Sequence, residues 1–255
     1  MPEKLNLRQK LLAGETVMGP FLTMPSPDVV EMIAIAGFDF AIVDTEHGMY
    51  SEERAAQLVR AAAARSMAAV VRVPQVDPPQ ITKALDMGAQ GVMVPQISSP
   101  EAAARAVAAA RYHPLGNRGV MAHVRNADYS SLGDPGFYER ENERAAVILQ
   151  IEGSEGIECL PQLCRLDGVD CFFIGVMDLS QSLGVPGQPE HPTVIEQVAA
   201  TVDLCARYGK ALGIYAFDPE PARRWLDMGI QFLGYHTDAG VMVEAFRRLR
   251  RQLAQ

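Results

Sequence analysis

Short apolar runs alternate with longer segments in which apolar positions recur every three or four residues, from residue 17 to residue 252. The runs predict strands at 17–22, 38–43, 69–73, 91–95, 146–151, 171–174, 211–216 and 232–235. The longer segments predict helices at 28–36, 52–64, 79–87, 100–111, 156–163, 191–208, 219–228 and 241–252. Eight strands, each followed by a helix, is the count of a closed (β/α)8 TIM barrel. Strands that are apolar nearly throughout also suit a parallel sheet covered on both faces. A doubly wound sheet would want a glycine-rich turn after its first strand, and nothing resembling G-x-G-x-x-G follows 17–22.

Boundary residues agree with this pattern. Ser51-Glu52-Glu53 opens the second helix with a cap and two acids at the positive end of its dipole. Asp218-Pro219 opens the seventh, and glycines 37, 88, 209 and 229 end helices before the next strand. The stretch 112–144 breaks the pattern, being rich in Gly, Asn, Asp and Arg. It is too long for a structureless connector, and we expect an extended, partly helical loop that helps cover the barrel mouth. With no repeat and no low-complexity linker, residues 1–255 read as one domain. The amphipathic C-terminal helix, about 241–252, is compatible with exchange between subunits.

Composition narrows the classes. A hydrophobic content of 48% with 21% charged residues is that of a globular chain, and a net charge of −8 disfavours nucleic acid and anionic membranes. No apolar run is long enough to span a bilayer, and the N-terminus lacks the apolar core of a secretory signal. The cysteines at 159, 164, 171 and 205 form no C-x-x-C pair, which suits reduced thiols in a cytoplasmic protein.

In such barrels the chemistry gathers at the C-terminal strand ends. Those ends supply Asp44, Glu46 and His47 after the second strand, Arg72 after the third, and Gln96 after the fourth. The fifth gives Gln150 and Glu152, the sixth Asp178, and the eighth His236 and Asp238. Glu152 and Asp178, from adjacent strands, suit a hard divalent ion completed by water and a chelating substrate; zinc would want more His or Cys. The plainer alternatives are loop salt bridges and, for Asp178, a helix cap. Arg72 can grip a carboxylate or keto oxygen, or pair with Asp44 instead. His47 could act as general base, with Asp44 orienting it or a nearby arginine. Of the four lysines, 4, 10, 83 and 210, none falls at a strand end where a Schiff base could form. Carbonyl chemistry here would therefore rely on a metal Lewis acid.

Several segments then match a known pattern together. They are Asp44-Thr45-Glu46-His47, Val71-Arg72-Val73, Leu85-Asp86-Met87-Gly88-Ala89-Gln90 leading to Val94-Pro95, and Arg111-Tyr112-x-Pro114-x-Gly116-x-Arg118-Gly119. Gln150-Ile151-Glu152 follows, then Ile174-Gly175-x-x-Asp178-Leu179-Ser180 and Leu183-Gly184. From about Met18 to Asp238 the chain resembles the HpcH/HpaI family of metal-dependent, class II pyruvate aldolases. The resemblance implies reversible cleavage of a 4-hydroxy-2-oxo acid to pyruvate, or an analogue such as hydroxypyruvate, and an aldehyde, through a metal-stabilised enolate. It implies Glu152 and Asp178 as ligands of Mg²⁺, Mn²⁺ or Co²⁺, Arg72 at the ketone oxygen, and His47 as the acid–base group acting through water, with Asp44 beside it. Gln150 would contact substrate, and the Gly175–Asp178 turn, through backbone N–H groups around Met177 and Asp178, would hold its carboxylate. Asp86 resembles a residue that reaches a neighbouring subunit's site, in hexamers built as trimers of dimers.

Two positions depart from the family pattern. Relatives commonly carry Gly-Pro-x-Asp where this chain has Gly175-Val176-Met177-Asp178, and Gly-Val-Asp where it has His236-Thr237-Asp238. Both changes touch substrate choice, and His236 could contact the acceptor aldehyde or simply reshape the pocket. The rival reading within the fold is an acyl-CoA lyase of the malyl- or citramalyl-CoA type, disfavoured by the acidic balance and scarce lysine. A non-catalytic scaffold is disfavoured by the joint presence of Asp44, His47, Arg72, Glu152 and Asp178.

Overall fold

Segments apolar at every position bury both faces, and here they do so as a ring. In a computed structural model describing residues 6–130, 134 and 136–253, eight parallel strands close into a barrel in sequence order. They are β1 (Val17–Leu22), β2 (Phe40–Asp44), β3 (Ala68–Arg72), β4 (Gly91–Val94), β5 (Ala146–Ile151), β6 (Cys171–Ile174), β7 (Ala211–Ala216) and β8 (Phe232–Thr237). Around them lie α1 (Leu7–Leu12), α2 (Pro27–Ile35), α3 (Glu52–Ala64), α4 (Pro78–Asp86), α5 (Pro100–Ala110) and α6 (Phe137–Arg144). The ring continues with α7 (Ser154–Leu163), α8 (Val176–Ser182), α9 (Pro192–Arg207), α10 (Pro219–Asp227) and α11 (Asp238–Leu253).

Inward-facing side chains fill the barrel. Phe40 and Phe232 stack with ring centres 4.1 Å apart, and Phe173 stands edge-on to Phe232 at 6.0 Å. Gly19 lets β1 approach β2 closely, since a Cβ there would lie 2.0 Å from the Phe40 carbonyl oxygen. The outward-facing residues of the strands meet the helices in a second, larger apolar layer. The ring is sealed where β8 meets β1, with Val17 opposite Phe232 and Gly19 opposite Gly234.

Four features differ from the sequence-based expectations. The first is the place of 112–144: it joins the end of α5 to the start of β5, so it lies at the N-terminal face, opposite the mouth. There Arg111, fully buried, donates to the carbonyls of Asn142, Ala145 and Gly168 and pairs with Asp170 at 2.5 Å. Arg8 of α1 reaches the same carboxylate at 2.7 Å. The described parts of the segment thus pack at the stability end and do not line the mouth, while α1 closes the barrel floor with Leu7 and Leu11. Its helical parts are α6 and a 3-10 turn at Arg125–Ala127.

Second, β2 begins at Phe40, because Asp39 is held in the preceding turn by Lys10 and by the Met18 N–H. It ends on Asp44, in register with Arg72. Third, Asp178 is not on β6 and caps nothing: it lies within α8, whose N-cap is Gly175. Fourth, α1 and α8 occur where the sequence pattern predicts none. In α11 only Asp238 is buried, and Met242, Phe246, Leu249 and Leu253 are exposed.

Candidate active site

Asp44, at the buried end of β2, organises the mouth. One of its oxygens accepts from the N–H of Glu46 (3.1 Å) and of His47 (3.3 Å), which folds the Asp44–His47 turn over the strand end. The same carboxylate takes Arg72 in a two-pronged grip, Nε at 2.9 Å and Nη2 at 2.6 Å. Between the two partners left open for Asp44, the geometry selects the arginine; it holds the His47 backbone and not its imidazole. The His47 ring is 71% exposed and approaches Glu46 at 4.0 Å.

The remaining edge of the Arg72 guanidinium faces Glu46 at 3.1 Å, with the Gln150 amide oxygen at 3.5 Å, and the group lies 4.9 Å from the centre of the Phe21 ring. Burial alone would make so enclosed a cation easier to deprotonate. The Asp44 bonds and the charges of Asp44, Glu46 and Glu152 more than offset it and hold Arg72 above its ordinary range. Arg72 is thus a permanent, oriented positive charge.

Beside it lies a cluster of carboxylates. Glu152 accepts from the Gln96 N–H at 2.9 Å and from the Gln150 amide. Gln96 stands in a left-handed conformation (φ 58°) and its side-chain amide reaches Glu46 at 3.3 Å. Burial pushes the Glu152 carboxyl up, and the nearby charges of Glu46 and Asp178 push it further. Glu46 is likewise raised by burial, against the pull of Arg72. Carboxylates that are desolvated and crowded in this way are stabilised by a shared cation. Among the described residues no set of three or more His, Cys, Asp or Glu converges on one point. The carboxylates of Glu152 and Asp178 are hard oxygen donors, the type that suits Mg²⁺ or Mn²⁺ better than zinc. The group fits. A side chain at Gly175 would intrude here, its Cβ 2.9 Å from Glu152 Cβ and 3.0 Å from Glu152 Oε2.

These groups ring a cavity of about 300 Å³. Asp44, His47, Arg72, Gln150, Gly175, Met177 and Asp178 all line it; Glu152 does not, but it lies against two residues that do, Gly175 and Gln150. Asp86 is elsewhere, at the far end of α4, bonded to the buried Arg118 at 2.6 Å. Nor does His236 line the cavity. Its Nδ1 accepts from the Thr237 N–H at 2.8 Å and its Nε2 faces Glu244 of α11 at 3.2 Å, so β8 gives the cavity Thr237 instead. Asp238 is a clasp, accepting from Thr23 N (2.9 Å), Thr23 Oγ1 (2.8 Å) and Met24 N (3.0 Å).

The sequence pattern does not single out Phe21, Thr23, Phe173, Tyr215 and Phe217, which complete the wall with Val176 and Thr237. Phe21, Phe173 and Tyr215 were findable, since each sits at or near the C-terminal end of its strand at an inward-alternating position.

A family model described as HpcH/HpaI aldolase/citrate lyase matches residues 18–245. A hydroxypyruvate/pyruvate aldolase from Sagittula stellata is 34% identical over 92% of this chain and 92% of its own length. A 4-hydroxy-2-oxo-heptane-1,7-dioate aldolase from Escherichia coli is 33% identical over 96% of this chain and 93% of its own. Among solved structures, an HpcH/HpaI aldolase/citrate lyase family protein from Burkholderia cenocepacia superposes with a TM-score of 0.92 and 32% identity, covering 98% of this chain and 99% of that one.

Proposed function

Since the chain belongs to the HpcH/HpaI aldolase/citrate lyase family, we propose that it is a class II aldolase reversibly cleaving a 4-hydroxy-2-oxo acid to pyruvate, or hydroxypyruvate, and an aldehyde. The observation that carries this reading is the pairing of a clamped, cavity-facing Arg72 with the carboxylates Glu152 and Asp178. The names of the two aldolase relatives agree with it.

In this reading Glu152 and Asp178 hold a divalent ion, Mg²⁺, Mn²⁺ or Co²⁺. Bound there, the ion supplies Lewis-acid polarisation of a 2-oxo acid. Arg72 donates to the 2-keto oxygen, and its fixed charge counts most as negative charge builds there during enolate formation. Asp44 keeps the guanidinium in place, so no reorganisation is needed at that moment. The N–H groups of Met177 and Asp178 lie in the first turn of α8, where no intrahelical acceptor exists for them, and bind the carboxylate. Gln150, braced between Arg72 and Glu152, orients the substrate. His47, exposed at the rim, takes the 4-hydroxyl proton through water in cleavage and returns it in condensation.

The assembly and setting follow the same reading. The outward apolar positions of α11 suit exchange of that helix between subunits, and Asp86, remote from its own barrel's mouth, suits a role at a neighbour's site in a hexamer built as a trimer of dimers. The four cysteines are free, as in a reducing cytoplasm, and no helix among the described residues is long and apolar enough to cross a membrane. The partners expected are small molecules, a 2-oxo acid and an aldehyde.

Deuterium incorporation at C3 of pyruvate and of hydroxypyruvate, read by mass spectrometry with each metal and with EDTA, tests the proposal. Incorporation that needs metal and disappears in Glu152→Ala is the expected result. Silence from both donors with all three metals would overturn it.

A further inference from the structure

The mouth is chemically divided. Its charged residues Asp44, Arg72 and Asp178 and the amide of Gln150 come from the side of the ring formed by β2, β3, β5 and the turn after β6. The rest of the wall, from β1, β6, β7 and the residue just after β7, is a continuous aromatic ladder that meets the charged side where Phe21 lies 4.9 Å from the Arg72 guanidinium. Phe173 stands edge-on to Phe21 at 6.0 Å, Phe21 to Tyr215 at 5.5 Å, and Tyr215 to Phe217 at 4.5 Å. The ladder climbs from the buried floor, where Phe173 is 2% exposed, to the rim, where Phe217 is 43% exposed. Met177, 39% exposed, stands on the same rim.

A carboxylate-bearing aldehyde would need a cation on this side. Arg72 is the cation that lines the described wall. Its Nε and Nη2 are committed to Asp44, and Nη1 faces Glu46. In the proposed chemistry what remains of it serves the donor's keto oxygen. Neutral side-chain contacts on the ladder side come from the hydroxyls of Thr23, Thr237 and Tyr215 among the described wall residues, and none of them carries a charge. Desolvating a second carboxylate against aromatic rings would cost more than the contact returns. Burying a methyl or methylene chain there is favourable.

Building on the aldolase reading, we infer that the acceptor half-site takes an uncharged aldehyde with an apolar chain or ring, held by Phe21, Tyr215, Phe217 and Met177. The cavity, at about 300 Å³, is near the small end of ligand sites, so a short substituent fits beside the oxo acid.

A matched pair of acceptors tests this: butanal, and succinic semialdehyde, which has the same four-carbon chain with a carboxylate in place of the terminal methyl. Each is offered with pyruvate and metal, and kcat/KM is read from aldol formation. The expected result is a preference for butanal of at least about tenfold, the scale on which an apolar pocket discriminates. In Phe217→Arg, which sets a cation at the exposed rim, that ratio should fall by about tenfold or more; in Phe217→Ala, butanal should lose and succinic semialdehyde should not. A wild-type preference for succinic semialdehyde, or a ratio indifferent to both substitutions, overturns the inference. Deuterium incorporation into pyruvate without any acceptor keeps the two claims apart. If incorporation is absent, the aldolase reading falls and takes this one with it. If it is present while the semialdehyde is preferred, this inference alone falls.

Discussion

Gly175→Ala isolates the geometry of the proposed metal site. Gly175 has φ −80° and ψ 83°, outside the left-handed region, so alanine meets no backbone strain there. The new methyl would lie 2.9 Å from Glu152 Cβ, 3.0 Å from Oε2 and 3.4 Å from the Gln150 amide nitrogen. Carbon–carbon contacts relax at about 3.5–4.0 Å, so Glu152 must retreat by roughly 0.6–1.1 Å. Ligand–metal distances in working sites hold to about ±0.2 Å, so that retreat takes the carboxylate out of range. Overpacking of this kind costs about 1–3 kcal/mol, which leaves a barrel of this size folded. A misplacement of about 1 Å costs on the order of 100-fold in rate. We therefore expect Gly175→Ala to remain folded by circular dichroism while Mn²⁺ affinity, by calorimetric titration, and deuterium incorporation into pyruvate each fall about 100-fold. Gly153→Ala is the control: it is next to Glu152 in sequence, and an added Cβ has nothing within 4 Å. Gly175→Ala with Mn²⁺ affinity and exchange rate equal to the parent would refute the placement of the metal at Glu152 and Asp178.

Arg72→Lys keeps the charge but loses the fork that meets both oxygens of Asp44, and exchange of pyruvate should fall by about 10²–10³, as when an oriented donor to a developing oxyanion is lost. A loss under about fivefold would count against an oriented role for this residue. Tyr215→Phe deletes a buried hydroxyl that has no hydrogen-bond partner, and should raise thermal stability by up to about 1 kcal/mol. Burial raises the Tyr215 phenol from 10.0 to about 12. Ionisation of this group therefore leaves stability unchanged below pH 10 and lowers it as pH rises from 10 through about 12, where the unfolded chain gives up the proton first. Thermal scans across that window should show the parent losing stability faster than Tyr215→Phe; parallel curves would contradict this.

Legibility of the fold in the sequence followed the strength of local patterns. The predicted strands at 17–22, 146–151, 171–174 and 211–216 coincide with β1, β5, β6 and β7, because residues buried on both faces leave an unbroken apolar run. Helix α1 went unread although Asn6 and Gln9 form a capping box, since only six residues follow the cap. α8 has no side-chain cap at all, and its first turn reads as the tail of a strand. α6, Phe-Tyr-Glu-Arg-Glu-Asn-Glu-Arg, is too charged to show an apolar stripe. The misplacement of 112–144 was avoidable: a segment that leaves a helix and enters a strand emerges at the N-terminal face by topology alone. In the site, every strand-end group proposed from spacing along β2, β3 and β5 arrives at the mouth or its edge. His236 does not, because its backbone turns left-handed (φ 63°) and swings the ring towards α11. The aromatic wall is legible only as inward-facing positions near strand ends, because Phe and Tyr in apolar strands look the same whether they face a core or a cavity.

The Asp238 clasp bears on how the protein comes into being. It joins the start of α11 to Thr23 and Met24, more than 200 positions earlier in the chain, beside a seam that pairs the first strand with the last. A ribosome delivers the chain from its N-terminus, so most of the barrel can be out and partly ordered while β8 and the clasp are still inside the exit tunnel. Thr23 and Thr237, which share one wall of the cavity, meet only when that final segment emerges. The nascent polypeptide is consequently an open, unsealed sheet with two free edges, exposed to edge-to-edge association until β8 emerges. The same late closure means that the acceptor side of the mouth is the final part of the site to be assembled.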